Sequence, residues 1–157
     1  MRLHICAVGR IRADQPEHAL FEDYRTRFNR TGRPLALGPL HAVEVEDKKG
    51  LGRVAEAVLL ERAIPAGALI ATLDERGRIM SSPDFAAQLA RWRDDGVQDV
   101  AFVIGGADGI APALRARAEF SVSFGAMVWP HLLVRVMLAE QVYRAATILA
   151  GGPYHRT

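Results

Sequence analysis

The sequence predicts an α/β fold, a mainly parallel sheet covered by helices on both faces. Two observations carry that expectation. The runs Leu3–Val8, Ala68–Leu73 and Val100–Ile104 are apolar except for His4 and Thr72, as strands buried on both faces are. Between them lie stretches of helical periodicity, and that alternation is how parallel sheets are built. At 157 residues, 50% hydrophobic and 24% charged, the chain suits a single domain spanning residues 1–157 with one core.

Taken in order, Leu3–Val8 reads as a buried strand ending at Gly9. Asp14 can cap a helix, with Pro16 in its first turn and Glu17 three residues on, and this helix should run to about Asn29. Leu35–Val45 carries β-type residues, with Gly38 and Pro39 marking a bulge or an interruption. Glu46–Gly50 is a mixed-charge loop. Leu51–Ile64 has helical periodicity through Leu51, Val54, Val58 and Leu59, and Pro65-Ala66-Gly67 stops it. Ala68–Leu73 is the next strand, with a turn expected at Asp74–Gly77. Ser81 or Ser82, before Pro83, starts a helix with Phe85, Leu89 and Trp92 on one face and Gly96 just past its end. Val100–Ile104 is followed directly by Gly105-Gly106. A short helix from Pro112 to Glu119, a strand near Phe120–Phe124 and a last helix, Leu132–Leu149, complete the chain.

Composition excludes several classes. The formal charge of +2 is too small to argue for nucleic acid by itself. Cys6 is the only cysteine, which forbids an intrachain disulfide and favours a reducing compartment. No signal-peptide core or membrane span is present in the sequence, so a cytoplasmic protein is expected. The patterns GxxxxGK[ST], GxGxxG and GxSxG are missing, and His4, His18, His41, His131 and His155 lack metal-ligand spacing. No metal is expected.

What remains clusters at the carboxyl ends of strands, where open α/β sheets bind ligands: Leu73-Asp74, Gly105-Gly106 and Phe124–Pro130. Gly105-Gly106 either makes a tight turn or lets a ligand lie on bare backbone. His131 either caps the last helix or packs in the core. Within that helix Arg135, Glu140 and Arg144 share no single face, so it must be buried on more than one side, and a second subunit is the expected cover. Glu140 and Arg144 are spaced for an i,i+4 pair. The tail Gly151-Gly152-Pro153-Tyr154-His155-Arg156 sets an aromatic ring, an imidazole and a guanidinium in a row. These groups can stack on a base, move a proton and bind phosphate.

The segments Thr72-Leu73-Asp74, Phe102–Gly109, Pro130–Val136, Glu140–Ala145 and Pro153–Arg156, in this order and spacing, make the chain resemble a known family. It is the 23S rRNA pseudouridine-N3-methyltransferase H family, a minimal branch of the SPOUT superfamily, and the resemblance runs from Leu3 to the C-terminus. Two departures stand out. This chain has Ala107-Asp108 where the family usually has Pro-Glu or a similar pair, and Leu132 where it often has Gln or Pro. The resemblance implies a SPOUT-type α/β fold with a C-terminal trefoil knot. It also implies a homodimer, S-adenosyl-L-methionine as methyl donor, and 23S rRNA within assembled ribosomes as substrate.

Carried over by position, the donor-binding residues are Leu73, Gly105, Phe124, Gly125, Ala126, Met127, Val128 and Trp129. The catalytic tail is Tyr154, His155 and Arg156. The N3–H of pseudouridine is a weak acid between two carbonyls, so a general base would help its methylation, and His155 is the candidate. Arg156 and Arg135 are candidates to bind phosphate or steady the imide anion.

Overall fold

The computed structural model describes residues 1–156; Thr157, the last residue of the expected domain, lies outside them. Strands and helices alternate throughout: β1 (Arg2–Val8), α1 (Pro16–Gly32), β2 (Leu40–Val45), α2 (Arg53–Ala63), β3 (Leu69–Ile79), α3 (Ser82–Asp94), β4 (Asp99–Ile104), α4 (Pro112–Ala116), β5 (Phe120–Ser123) and α5 (His131–Leu149). The strands form one sheet in the order β2-β1-β4-β3-β5, and every pairing is parallel. Successive residues of a strand face opposite sides, so Leu3 and Ile5 join one core while Cys6 and Val8 join the other. That two-sided burial is why the runs are apolar without alternation. Phe28 of α1, Leu89 and Trp92 of α3, and Leu138 and Val142 of α5 pack one face. Leu60 of α2 and Leu114 of α4 cover the other.

Several local expectations need correction. Gln15, not Asp14, is the N-cap residue of α1, and no side chain bonds the helix start; Asp14 instead pairs with Arg12 Nε at 3.2 Å. Gly38-Pro39 is a cis peptide that ends a single 3-10 turn (Arg33–Leu35) and its exit before β2 begins. Asp74–Gly77 does not reverse the chain. β3 runs on to Ile79, with its register against β5 shifting between Leu73 and Arg78. A Cβ at Gly77 would lie 2.6 Å from the Val122 carbonyl carbon, so glycine lets the strand press on β5 at that shift. In α2 the buried residues are Ala57 and Leu60, while Leu51, Val54 and Val58 are exposed. The Leu51-Val54-Val58 periodicity there marks the solvent side, while Ala57 and Leu60 face the sheet.

α5 is buried on several sides by its own chain. Val136, Leu138 and Val142, on the helix a second subunit was expected to cover, are enclosed in the intrachain core against α1 and α3. The connection that leads into α5 places the site. β5 is at a sheet edge, yet α5 begins beside β1, where His131 Nε2 lies 3.8 Å from the point a Cβ on Gly9 would occupy. Residues 124–130 therefore cross the carboxyl ends of β3 and β4. Three strand spacings are about 14 Å, and seven extended residues reach about 23 Å, so the crossing is feasible with slack.

Candidate active site

α3 and α4 leave β3 and β4 toward opposite faces of the sheet, and such a divergence opens a crevice at the strand ends. A cavity of about 410 Å³ fills it. Its lining includes Leu73, Ile104 and Gly105 from the strand ends, the loop Gly106–Ile110, and Val122–Gly125. Met127, Val128 and Trp129 of the crossing segment also line it, as do His131 and Val134 at the start of α5. Ala126 is exposed and is not part of the lining. Among the described residues, no backbone N–H or carbonyl from Ala126 to Trp129 is bonded to another backbone group, so these groups are free for a ligand.

Gly105 has a structural duty. A Cβ there would stand 2.5 Å from the carbonyl carbon and oxygen of Gly109, so the loop folds onto bare backbone. Gly105→Val would therefore dislocate that loop as well as narrow the cavity. Gly106 is pressed in the same way against the Glu56 carboxylate, where a Cβ would be 2.9 Å away. Burial, then Asp47 and Asp108, raise the Glu56 carboxyl above its ordinary range. Asp74 and Arg115 form an ion pair of 3.1 Å in the lining, and Arg115 also donates to the Ile110 carbonyl at 2.9 Å.

Arg135 does not face a ligand. Its side chain is 2% exposed. One terminal nitrogen donates to the Gly9 carbonyl at 2.9 Å and to Glu44 Oε1 at 3.1 Å; the other donates to the Val8 carbonyl. It ties α5 to the ends of β1 and β2, which corrects its candidacy for phosphate or anion binding. Burial lowers its guanidinium from the ordinary value and Glu44 opposes that. His131 neither caps the helix, since Pro130 is the N-cap residue, nor packs in the core; it is half-buried in the cavity lining. Burial and Arg135 lower its imidazole below the ordinary value.

The tail sits elsewhere. Gly151, at φ 69°, stops α5 with its N–H on the Ile148 carbonyl, and Gly152 N–H reaches the Thr147 carbonyl at 2.8 Å. This pair of bonds closes the helix end, so the glycines form a fixed stop. Tyr154 then folds back: its hydroxyl donates to Glu140 Oε1 at 3.0 Å, and its ring lies 4.7 Å from Tyr143 and 4.8 Å from the Arg144 guanidinium. Arg144 bonds Glu140 at 2.5 Å, as the i,i+4 spacing predicts, and donates to His155 Nδ1 at 3.4 Å. Burial, Tyr24 and Glu140 raise the Tyr154 phenol above its ordinary value, so it keeps its proton. Arg156 is exposed. None of the three lines the cavity of its own chain.

A family model described as "Predicted SPOUT methyltransferase" matches residues 1–155. The chain belongs to the SPOUT methyltransferase family. It is 69% identical to proteins named "Ribosomal RNA large subunit methyltransferase H" from a Ruegeria species and from Ruegeria pomeroyi, with 99% of each chain covered. Among solved structures it is similar to a probable methylase family protein from Haemophilus influenzae Rd KW20, with a TM-score of 0.55 and 10% identity. That likeness covers 99% of this chain and 70% of the other, and it speaks for the fold alone.

Of the sites named from this SPOUT sequence, Leu73, Gly105, Phe124, Gly125, Met127, Val128 and Trp129 converge on one cavity. Ala126 stands beside it, and Tyr154, His155 and Arg156 lie at the far end of α5. Asp74 lines the cavity as its strand-end position suggested, whereas Arg115, Arg53 and His131 were not assigned to it. Of these three only His131 had a signal, its place at a helix start beside a proline and an aromatic.

Proposed function

We propose that this chain is an S-adenosyl-L-methionine-dependent methyltransferase acting on N3 of a pseudouridine in 23S rRNA within the ribosome. The observation that carries the reading is the convergence of Leu73, Gly105 and the crossing segment on one cavity. Its volume, about 410 Å³, falls in the range of small-molecule sites. The residues fit such a donor. Free backbone groups at 126–129 can read an adenine edge, Leu73, Ile104 and Trp129 offer apolar contact, and Asp108 and Glu75 bring negative charge for a cationic sulfonium. Bound there, the donor supplies an electrophilic methyl group. The chain's own work is to hold the base in line, to exclude water and to take the N3 proton.

Residues 1–157 form one methyltransferase domain in this reading, and the C-terminal part threads as the trefoil knot of the superfamily. The protein works in the cytoplasm as a homodimer. Support for the dimer is the placing of the tail, which no path within one chain brings to the cavity without unwinding the end of α5. A second copy supplies it: Tyr154, His155 and Arg156 of one protomer serve the cavity of the other. The exposed apolar residues Leu20 and Ile79, with Met137, edge a hollow of about 520 Å³ between α1, α3 and α5 that suits the partner.

The deciding experiment incubates the full chain and labelled S-adenosyl-L-methionine with ribosomes lacking the modification, then maps methylated nucleotides by mass. A single methyl on N3 of a 23S pseudouridine is expected. Ribosome binding without transfer would make the protein a non-catalytic ribosome-binding module, and transfer to tRNA instead would overturn the substrate.

A further inference from the structure

We propose that His131 takes the N3 proton of the target base; this rests on the methyltransferase reading above. His131 is the imidazole in the cavity lining, on the same wall as Trp129 and Val134. The ring is half-buried, yet neither nitrogen is hydrogen-bonded among the described residues. An imidazole placed in a ligand-sized cavity with a free lone pair is available as an acceptor. His155 is poorly placed for the same task in its own chain. It follows the far end of α5, whose 19 residues span about 27 Å, and its Nδ1 already accepts from Arg144.

The surroundings keep the ring neutral and ready. Arg135, one turn along α5, is pinned by the Val8 and Gly9 carbonyls and by Glu44 of β2, which offsets part of its charge; burial first and the nearby guanidinium second disfavour a protonated ring. The first turn of α5 adds its own partial positive charge. Across the cavity, Asp74 and Arg115 neutralise each other, while Arg53 and Asp108 belong to its rim. Gly9 carries no side chain to cover Nε2. In the step, the N3–H bond breaks and its proton passes to a ring nitrogen of His131. The N3 electron pair forms the new N–CH3 bond while the sulfonium S–CH3 bond breaks, leaving its pair on a neutral thioether. His131 then returns the proton to solvent, helped by the repulsion of Arg135.

The test compares the parent with His131→Gln and His155→Gln. Imidazole NMR titration should show a resonance with a midpoint below the ordinary histidine value that His131→Gln removes. Calorimetry should give the same S-adenosyl-L-methionine affinity for the parent and His131→Gln. Single-turnover methyl transfer to ribosomes should rise with pH in the parent along a limb below the ordinary histidine value of about 6.5 and then stay level toward neutrality. His131→Gln should be slower by ~10²-fold near neutrality, and the gap should close at high pH as hydroxide takes over the proton. An unchanged rate and profile, lost donor binding, or a pH limb that vanishes only in His155→Gln would each overturn the proposal. A parent that transfers no methyl to ribosomes would overturn the underlying reading instead.

Discussion

At the scale of single residues, one buried charge cluster of the fold lies away from the cavity. Asp99, at the start of β4, is 7% exposed and accepts from Arg2 at 2.7 Å and from His4 at 2.8 Å. The Arg2 hydrogen bonds, then His4, hold its carboxyl down at about 2 against burial, which works the other way. A depressed carboxylate stabilises the fold above the unfolded value near 3.8, and that stability is lost as pH falls through about 2. Asp99→Asn should therefore cost about 1–2 kcal/mol at pH 7, and urea unfolding curves of parent and variant should converge near pH 2. Curves that stay equally separated at low pH would mean that the loss is one of packing. Arg135 shows a related economy of roles: a guanidinium that the sequence offers as an RNA ligand is consumed in holding three strand-end acceptors. Cys6 is similarly withdrawn from chemistry, its thiol pushed up to about 12 by burial.

Elements differ in how faithfully their patterns report burial. In α3 the Ser81 hydroxyl accepts from Asp84 N–H at 3.2 Å, Phe85, Leu89 and Trp92 are buried, and Gly96 follows the end with φ 85°. Cap, stripe and stop agree there. In α2 they conflict, because Val54 and Val58 point outward, Val54 being 73% exposed, while Ala57 and Leu60 are buried. Val54→Glu should change stability by no more than about 0.5 kcal/mol, since the site buries nothing. Thermal melting would check it. A large loss would show that α2 packs on a neighbour through that face. α5 is the opposite case, apolar nearly all round because β1, α1 and α3 surround it.

At the scale of the whole molecule, the separation of tail and cavity makes quaternary structure a functional matter. The parent should sediment as a dimer at micromolar concentration. Ile79→Asp, at a residue 73% exposed, should dissociate the dimer while each chain stays folded, with a melting temperature that no longer depends on protein concentration. Leu138→Asp should instead unfold the chain, because a charge would enter a fully closed core without a partner. A parent that sediments as a monomer would remove the homodimer from the proposed function. It would also leave His131 as the only imidazole near the cavity among the described residues.

The amino-acid sequence by itself determined the parallel α/β class, the span of β1 and β4, the start of α3 and the strand ends that make the cavity. These are legible because burial on both faces writes continuous apolar runs, and because capping and turn residues act over three or four positions. Tertiary structure alone decided which face of α2 is buried, what Arg135 binds, and that residues 124–130 cross two strands to deliver His131 beside β1. Such features depend on contacts between residues about a hundred positions apart, as Arg135 is from Val8 and Glu44. Local pattern carries no record of them, since neither partner's neighbours in sequence reveal which distant carbonyl or carboxylate will be close enough to bind.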